Sequence, residues 1–428
     1  MNKIFIISSI DEIKLLQGLS MSNIIEVIKD YKKVSKKNKI ELQYSNILKK
    51  ISNNTLTIQV LNKFLNKKYK DGKVCDYINI VKDDKTKEYK FCVNKYDEIF
   101  DLSKGLSSFD KLDYKLKISI TTPIISIITL YESFIRNLII TDCLEGNFDL
   151  INNETINFSH LSSLKYNEEA IKNYLIETFC NNKLYGDNKR IKEIIKTLSI
   201  DCNDCSSLIE DFNEIYFRRN IYAHSITNLT NDYQNLPIEI KEKWAKNNSL
   251  INTPEYFKHA FKILNKIILM ILIKKCLYKK KDKADLDTID EIIYNKFYYK
   301  GSYEVACFAY NQLKGLNWIT DTQRYQYFVN YMVCLKNTNP IELKKESILW
   351  NTSTVAPIYK LAKKLIIDDY ENINNLIINI YKSEVDYFKL DISEREFCIS
   401  KNCITEWPLF IDYRKTEYFN QLKILLNF

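Results

Sequence analysis

Over most of this chain apolar residues recur every three to four positions, and that spacing predicts amphipathic helices. Four helical stretches stand out in the middle third. The first opens with Thr122 as N-cap and Pro123 at the first helical position, then runs through IISIITLYESFIRNLII. A second covers 167–198 with a break near Gly186, and a third starts at Ser207, where Ser207 and Glu210 have capping-box spacing. A fourth begins at Thr253-Pro254 and continues to Tyr278.

Elsewhere the pattern changes. Before residue 114 a helical stretch at 22–32 precedes KVCDYINIV and EYKFCVN, whose alternating apolar positions flank KDDKTK as a hairpin. The Lys-rich run KKKDKADLD, 279–287, has the composition of a linker. Beyond it, YYKGSYEVACFAYNQLKGL and LAKKLIIDDYENINNLIINIY have the small-residue and aromatic spacing of paired, stacking helices, though with no fixed period. The expected fold is therefore mainly α. It has a small α+β module over 1–113, an up-and-down bundle over 114–278, and a helical-hairpin domain over 288–428.

Composition agrees with long helices, since 428 residues include only 7 Gly and 6 Pro. A net charge of +9 favours a polyanionic partner but is thinly spread, and runs such as KKVSKKNK and NKKYKDGK read most simply as solvated faces. Eleven cysteines at irregular spacing read as reduced thiols. Asp11 and Glu12 follow MNKIFIISSI where a cleavage site would need small residues, so no signal peptide is expected. The apolar stretches 118–130 and 263–273 are short for a bilayer span. A soluble, cytoplasmic protein without a membrane partner is the expectation.

Chemistry concentrates in RNIYAH, Arg219 to His224, which holds one of only three histidines. On a helical projection Leu208, Ile209, Phe212, Ile215, Tyr216 and Ala223 form one apolar arc, and Arg219 falls near its middle. A guanidinium cannot shed its charge, so that position demands an acidic neighbour or a ligand. Glu132 intrudes in the same way beside the arc of Ile125, Ile128, Tyr131, Ile135 and Ile139. If the two helices pack, Glu132 pairs with Arg219 and aims it at a phosphate.

Asn220 and His224 are four apart on one helical face, and His224 sits at the expected helix C-terminus, where the macrodipole favours a cation. Cleaving RNA without metal needs a base for the 2′-hydroxyl, a cation for the phosphate and an acid for the leaving 5′-oxygen. His224 and Arg219 supply two of these types. Five residues of helix set them about 140° apart, so a second chain across a two-fold axis would complete the set. An Arg and a His at this spacing also occur by chance in ordinary helix caps.

At these residues the sequence resembles the HEPN superfamily, whose signature is an Arg, a polar residue, a short spacer and a His on a four-helix bundle. The segment LYESFIRNLI around Glu132 looks like the first helix of HEPN groups that include abortive-infection and toxin proteins. The resemblance covers 114–278. It implies a metal-independent endoribonuclease, active as a homodimer and leaving a 2′,3′-cyclic phosphate, with Arg219 and His224 catalytic, Asn220 accessory and Glu132 supporting. It further implies RNA such as tRNA as substrate, an antiviral or toxin role under an antitoxin or phage trigger, and no cofactor. The alternative is an inactive HEPN module that binds RNA, a nucleotide or a protein.

The remaining candidates are weaker. Arg218 projects from the polar side of the same helix, and with Tyr222 it is a candidate RNA contact. Cys202 and Cys205 form one CxxC without the second ligand pair that zinc needs, and Cys398 with Cys403 is no better, so no metal is expected. His160 and His259 read as structural or surface histidines. Walker, dinucleotide and G-x-S-x-G motifs are absent, which argues against an NTPase, a nicotinamide enzyme or a serine hydrolase.

Overall fold

The computed structural model describes residues 3–37, 78–82, 89–93, 96–144, 151, 154–184, 195, 200–201, 203–224, 229–246, 249–280, 282–353, 355–395 and 397–427. These are almost entirely helical, which agrees with the mainly α expectation. The Lys-rich run 66–73, Gly186 and Cys202 lie outside them. By Cα proximity the chain divides into two compact units. One comprises Met1–Ile13, Ile127–Leu250 and Lys258–Phe428, and the other Lys14–Ser126 with Ile251–Phe257.

The N-terminal helix α1 runs Lys3–Lys37, well beyond the expected 22–32. Strands β1 (Ile78–Lys82) and β2 (Tyr89–Val93) pair antiparallel with Ile78 opposite Val93 and Lys82 opposite Tyr89. That is the hairpin the alternating pattern predicts.

Helix α2 spans Tyr96–Leu144 and carries Pro123 in its interior. The expected start at Thr122-Pro123 is therefore overturned. Proline lacks the N–H that would bond the carbonyl four residues back, a defect of about 3 kcal/mol. Against it, Leu112, Ile120, Ile124 and Ile127 continue one buried stripe through the site, each contributing roughly 1.5–3 kcal/mol. Burial outweighs the broken bond. Ser126 Oγ donates to the Thr122 carbonyl at 3.0 Å beside it.

The part of α2 from Tyr114 to Cys143 is long and apolar enough to cross a bilayer, so the argument that the apolar run is too short fails. Half of its most apolar window is buried inside the protein. It also carries Glu132 and Arg136, paired with Arg219 and Glu177 respectively.

After α3 (Phe158–Ser163) and α4 (Glu168–Leu184) comes α5, Ser206–Ala223. The excursion that follows holds two short helices, α6 (Asn231–Gln234) and α7 (Ile238–Trp244), then a two-residue ladder between β3 (Ala245–Lys246) and β4 (Ser249–Leu250). Helix α8 runs Pro254–Leu272, and Thr253 caps it by accepting from the Tyr256 N–H at 3.2 Å. In α8 Glu255, Lys258, Lys262 and Lys266 keep one polar face through the first three turns, and from Ile267 to Leu272 every residue is buried. It ends in a π-helical segment, Ile273–Lys280. There Lys275, 3% exposed, pairs with Asp142, 5% exposed, which ties this segment to α2.

The run expected to be a linker is instead a helix start. The Asp282 side chain accepts from the N–H groups of Ala284 and Asp285, which caps α9 (Lys283–Ile292), and Leu286 is wholly buried. A second π segment, Ile293–Tyr298, leads to α10 (Tyr303–Lys314) and α11 (Asp321–Thr338), the latter opened by a full Thr320/Gln323 capping box. Helices α12 (Pro340–Leu349) and α13 (Pro357–Ile366) each begin on a proline. The chain continues through α14 (Ile373–Ile380) and α15 (Glu384–Lys389) to the C-terminus.

Candidate functional site

Helix α5 carries the Arg-Asn-His motif. Its N-terminus is a 3-10 turn, Asn203–Cys205, whose Asn203 N–H is accepted by Asp201 Oδ1 at 3.1 Å. The helix follows at Ser206 with no side-chain cap, so the expected Ser207/Glu210 box does not form. The turn feeds straight into the helix, and the capping carboxylate lies upstream instead.

One face packs as projected. Leu208, Ile209, Phe212 and Ile215 are buried, and the Phe212 ring lies 4.7 Å from that of Tyr131 on α2. Ala223, expected in the arc, is exposed because it stands on the last turn. On this face Arg219 pairs with Glu132, with side chains 20% and 7% exposed. The phenol of Tyr216 also hydrogen-bonds Glu132, and its ring underlies the guanidinium at 4.9 Å. Tyr216 was not singled out in the sequence, although its place three residues before Arg219 on the same face is the available signal.

Burial pushes the Glu132 carboxyl above the usual carboxylate range, and the charge and hydrogen bond of Arg219, with Tyr216, only partly offset this. Arg219 Nε is buried and meets no acceptor among the described residues. The guanidinium is thus held at one end by a carboxylate and leaves a donor unused.

Arg218 corrects the sequence reading. Expected on the polar side and within reach of RNA, it is wholly buried. Nε and Nη2 donate to Glu214 Oε1 at 2.9 and 2.8 Å, and Nη2 also donates to the Trp244 carbonyl at 2.9 Å. Nη1 donates to the Tyr222 hydroxyl at 3.2 Å, which draws Tyr222, the other candidate RNA contact, to the same network. Tyr233 completes it by donating to Glu214 Oε1 at 2.7 Å, and burial beside that carboxylate pushes the phenol far above its usual range. The reason is a second packed face. Phe217, Ile221, Tyr233 and Leu236 form a buried cluster with Tyr216, Ile240 and Leu250 at its edge, so α6 and α7 close over the side of α5 opposite α2.

Asn220 and His224 stay at the surface, half-buried and exposed respectively. His224 is the C-cap, and its backbone N–H donates to the Asn220 carbonyl at 3.1 Å. No hydrogen bond joins their side chains among the described residues. Of the six expected site residues, then, Arg219 and Glu132 meet, Arg218 and Tyr222 meet in a structural network, and Asn220 and His224 share only the helix end.

His259, expected to be structural, stacks on Trp244 at 4.8 Å with Nε2 3.7 Å from Asp211 Oδ1. Burial, then Lys243, Lys262, Lys266 and Arg218, push its pKa down to about 4. The imidazole is neutral at pH 7, so its approach to Asp211 is not an ion pair. His160 is exposed, its ring against Tyr174. No group of His, Cys, Asp and Glu able to hold a metal ion occurs among the described residues. Comparison of the chain with protein-family models, curated proteins and solved structures finds no match.

Proposed function

We propose that this chain is a metal-independent endoribonuclease of HEPN type, with the bundle over 114–278 as its catalytic part. The observation that carries the reading is Arg219, held in an interhelical seam by Glu132 and Tyr216, five residues before the exposed His224 on the same helix. In this reading the guanidinium steadies the charge that builds on the phosphate. His224 exchanges a proton with the 2′-hydroxyl or the leaving 5′-oxygen, giving a 2′,3′-cyclic phosphate. Asn220, one turn before it, positions the ring or a phosphate oxygen.

Arg219 and His224 point about 140° apart around the helix, which supports a site shared by two chains. The accompanying biology is part of the same proposal: a cytoplasmic effector of toxin or antiphage type, acting on RNA such as tRNA and controlled by an antitoxin or a phage trigger. A second reading, an inactive module that binds RNA, a nucleotide or a protein, is favoured by the commitment of Arg219 to Glu132.

Incubating the full chain with bulk RNA in the presence of a chelator separates the two. Cleavage lost in His224→Ala and in Arg219→Lys, with cyclic-phosphate ends in the wild type, supports the enzyme. Binding without cleavage in the wild type favours the module. A strictly monomeric yet fully active protein in sedimentation overturns the shared site.

A further inference from the structure

In the C-terminal part of the chain, α11, α13 and residues that include Tyr387, Arg395, Cys403 and Trp407 line an open cavity of about 570 Å3. That lies within the roughly 300–1,000 Å3 typical of small-molecule sites. One wall is a polar ladder on α11. Thr322, Gln326 and Asn330 are spaced four apart, so they stand one above another on the same helical face. Thr322 is half-buried, Gln326 is exposed, and Asn330 is 2% exposed. Asn330 Oδ1 is buried and has no hydrogen-bond partner among the described residues. A buried carbonyl left unmatched costs about 1–3 kcal/mol, so the inner end of the ladder lacks a donor.

The facing walls are aromatic and fixed from behind. Tyr359 on α13 packs against Tyr325 with centroids 4.8 Å apart, Tyr294 against Tyr298 at 5.5 Å, and Trp407 against Phe410 at 6.0 Å. Rings held in place offer stacking surfaces without an ordering cost on binding.

Charge narrows the ligand further. The one arginine on the lining, Arg395, donates Nε to the Tyr387 and Leu390 carbonyls at 3.1 and 3.0 Å, and Nη2 to Phe388 at 2.6 Å. Its Nε and Nη2 are occupied in closing the end of α15. The exposed carboxylate of Glu406 also lines the cavity and repels anions. We propose that this cavity binds a flat, uncharged heterocycle of the nucleobase class, stacked against the aromatic wall with a ring or exocyclic group hydrogen-bonded to the Asn330 amide. This site is independent of the ribonuclease reading and stands or falls separately.

The test is calorimetric titration of the full chain with adenine, cytosine, uracil, adenosine and adenosine monophosphate. The expected result is saturable one-to-one binding of a base or nucleoside, weakened about tenfold or more in Asn330→Leu, which removes the amide at similar volume. Because that variant deletes an unmatched polar group, its thermal midpoint stays at or above that of the wild type. Thr322→Trp, which narrows the cavity along the same helical face, abolishes binding. Cys398 and Cys403 line the cavity and are partly exposed, so bound ligand slows their alkylation as read by peptide mass mapping, whereas Cys307 is unaffected. Failure of every base and nucleoside to bind the wild type overturns the proposal. So does equal binding by Asn330→Leu, and tighter binding of the monophosphate than of adenosine refutes the uncharged class.

Discussion

Replacing Arg218 by Met should destabilise the protein more than most single surface changes, although its neighbour Arg219 is the residue of the motif. Arg218 is wholly buried and makes two donations to Glu214, one to the Trp244 carbonyl and one to Tyr222. Methionine fills a similar length but takes the guanidinium away from the Glu214 carboxylate, which is 1% exposed and keeps the donation from the Tyr233 hydroxyl. Removing one partner of such a pair costs about 3–5 kcal/mol, because the survivor is a buried charge. Removing both is far milder, since an apolar pair of matched volume is often neutral or better. Arg218→Met should therefore lower the urea midpoint sharply, and Arg218→Met with Glu214→Leu should recover most of the loss. The readout is urea unfolding by circular dichroism of wild type, both single variants and the double. A single variant within about 1 kcal/mol of wild type, or a double variant as unstable as the sum of the singles, refutes the network argument.

Three further outcomes follow from buried charge. Burial pushes the Asp290 carboxyl up to about 7, with Asp287 adding to the shift, and its Oδ1 is fully enclosed although part of the residue reaches the surface. The folded state then holds a proton that the unfolded chain releases near 3.8, so stability falls as pH rises from about 4 to 7, by up to about 4 kcal/mol. Asp290→Asn should flatten that slope in urea unfolding at several pH values, and an unchanged slope counts against it. For His259 the sign is reversed: with a pKa about 4 in the fold against 6.5 unfolded, stability is lost as pH falls between those values, by about 3 kcal/mol at most. An imidazole titrating near 6.5 by NMR would sink this. Lys275→Met should cost about 3–5 kcal/mol by stranding Asp142, and adding Asp142→Leu should restore the melting temperature; a double variant no better than the single would contradict it.

The contrast between two adjacent arginines shows where sequence periodicity succeeds and fails. Glu132 and Arg219 were legible because each is a charge inside an apolar stripe, and two such intrusions on neighbouring helices have few other ways to be satisfied. Arg218 was misplaced because a helical projection assumes one buried face. Helix α5 has two, and the second is made by short elements, α6 and α7, whose four and seven residues carry too little periodicity to announce a packing surface. The start of α2 was misread for a related reason. Thr122-Pro123 has the local form of a helix start, but the buried stripe on both sides of Pro123 decides the matter. Asp282 acts at closer range still, since its cap is a two-residue geometry hidden inside a charge run. The helix content was legible from spacing alone.

A helix walled on two sides presents little of itself to solvent. On α5 the side chains that reach solvent include Ser206, Ser207, Glu210, Asn213 and Asn220, with Ala223 and His224 at its end. None of these supports the core on either flank, so exchanging them leaves folding stability nearly untouched, within about 0.5 kcal/mol for ordinary surface positions. The cost of a substitution on this helix is thus set largely by which packed face, if either, the side chain belongs to. Asn220 and His224 can be exchanged with little effect on folding, whereas a change at Phe212 or Arg218 is first a change to the fold.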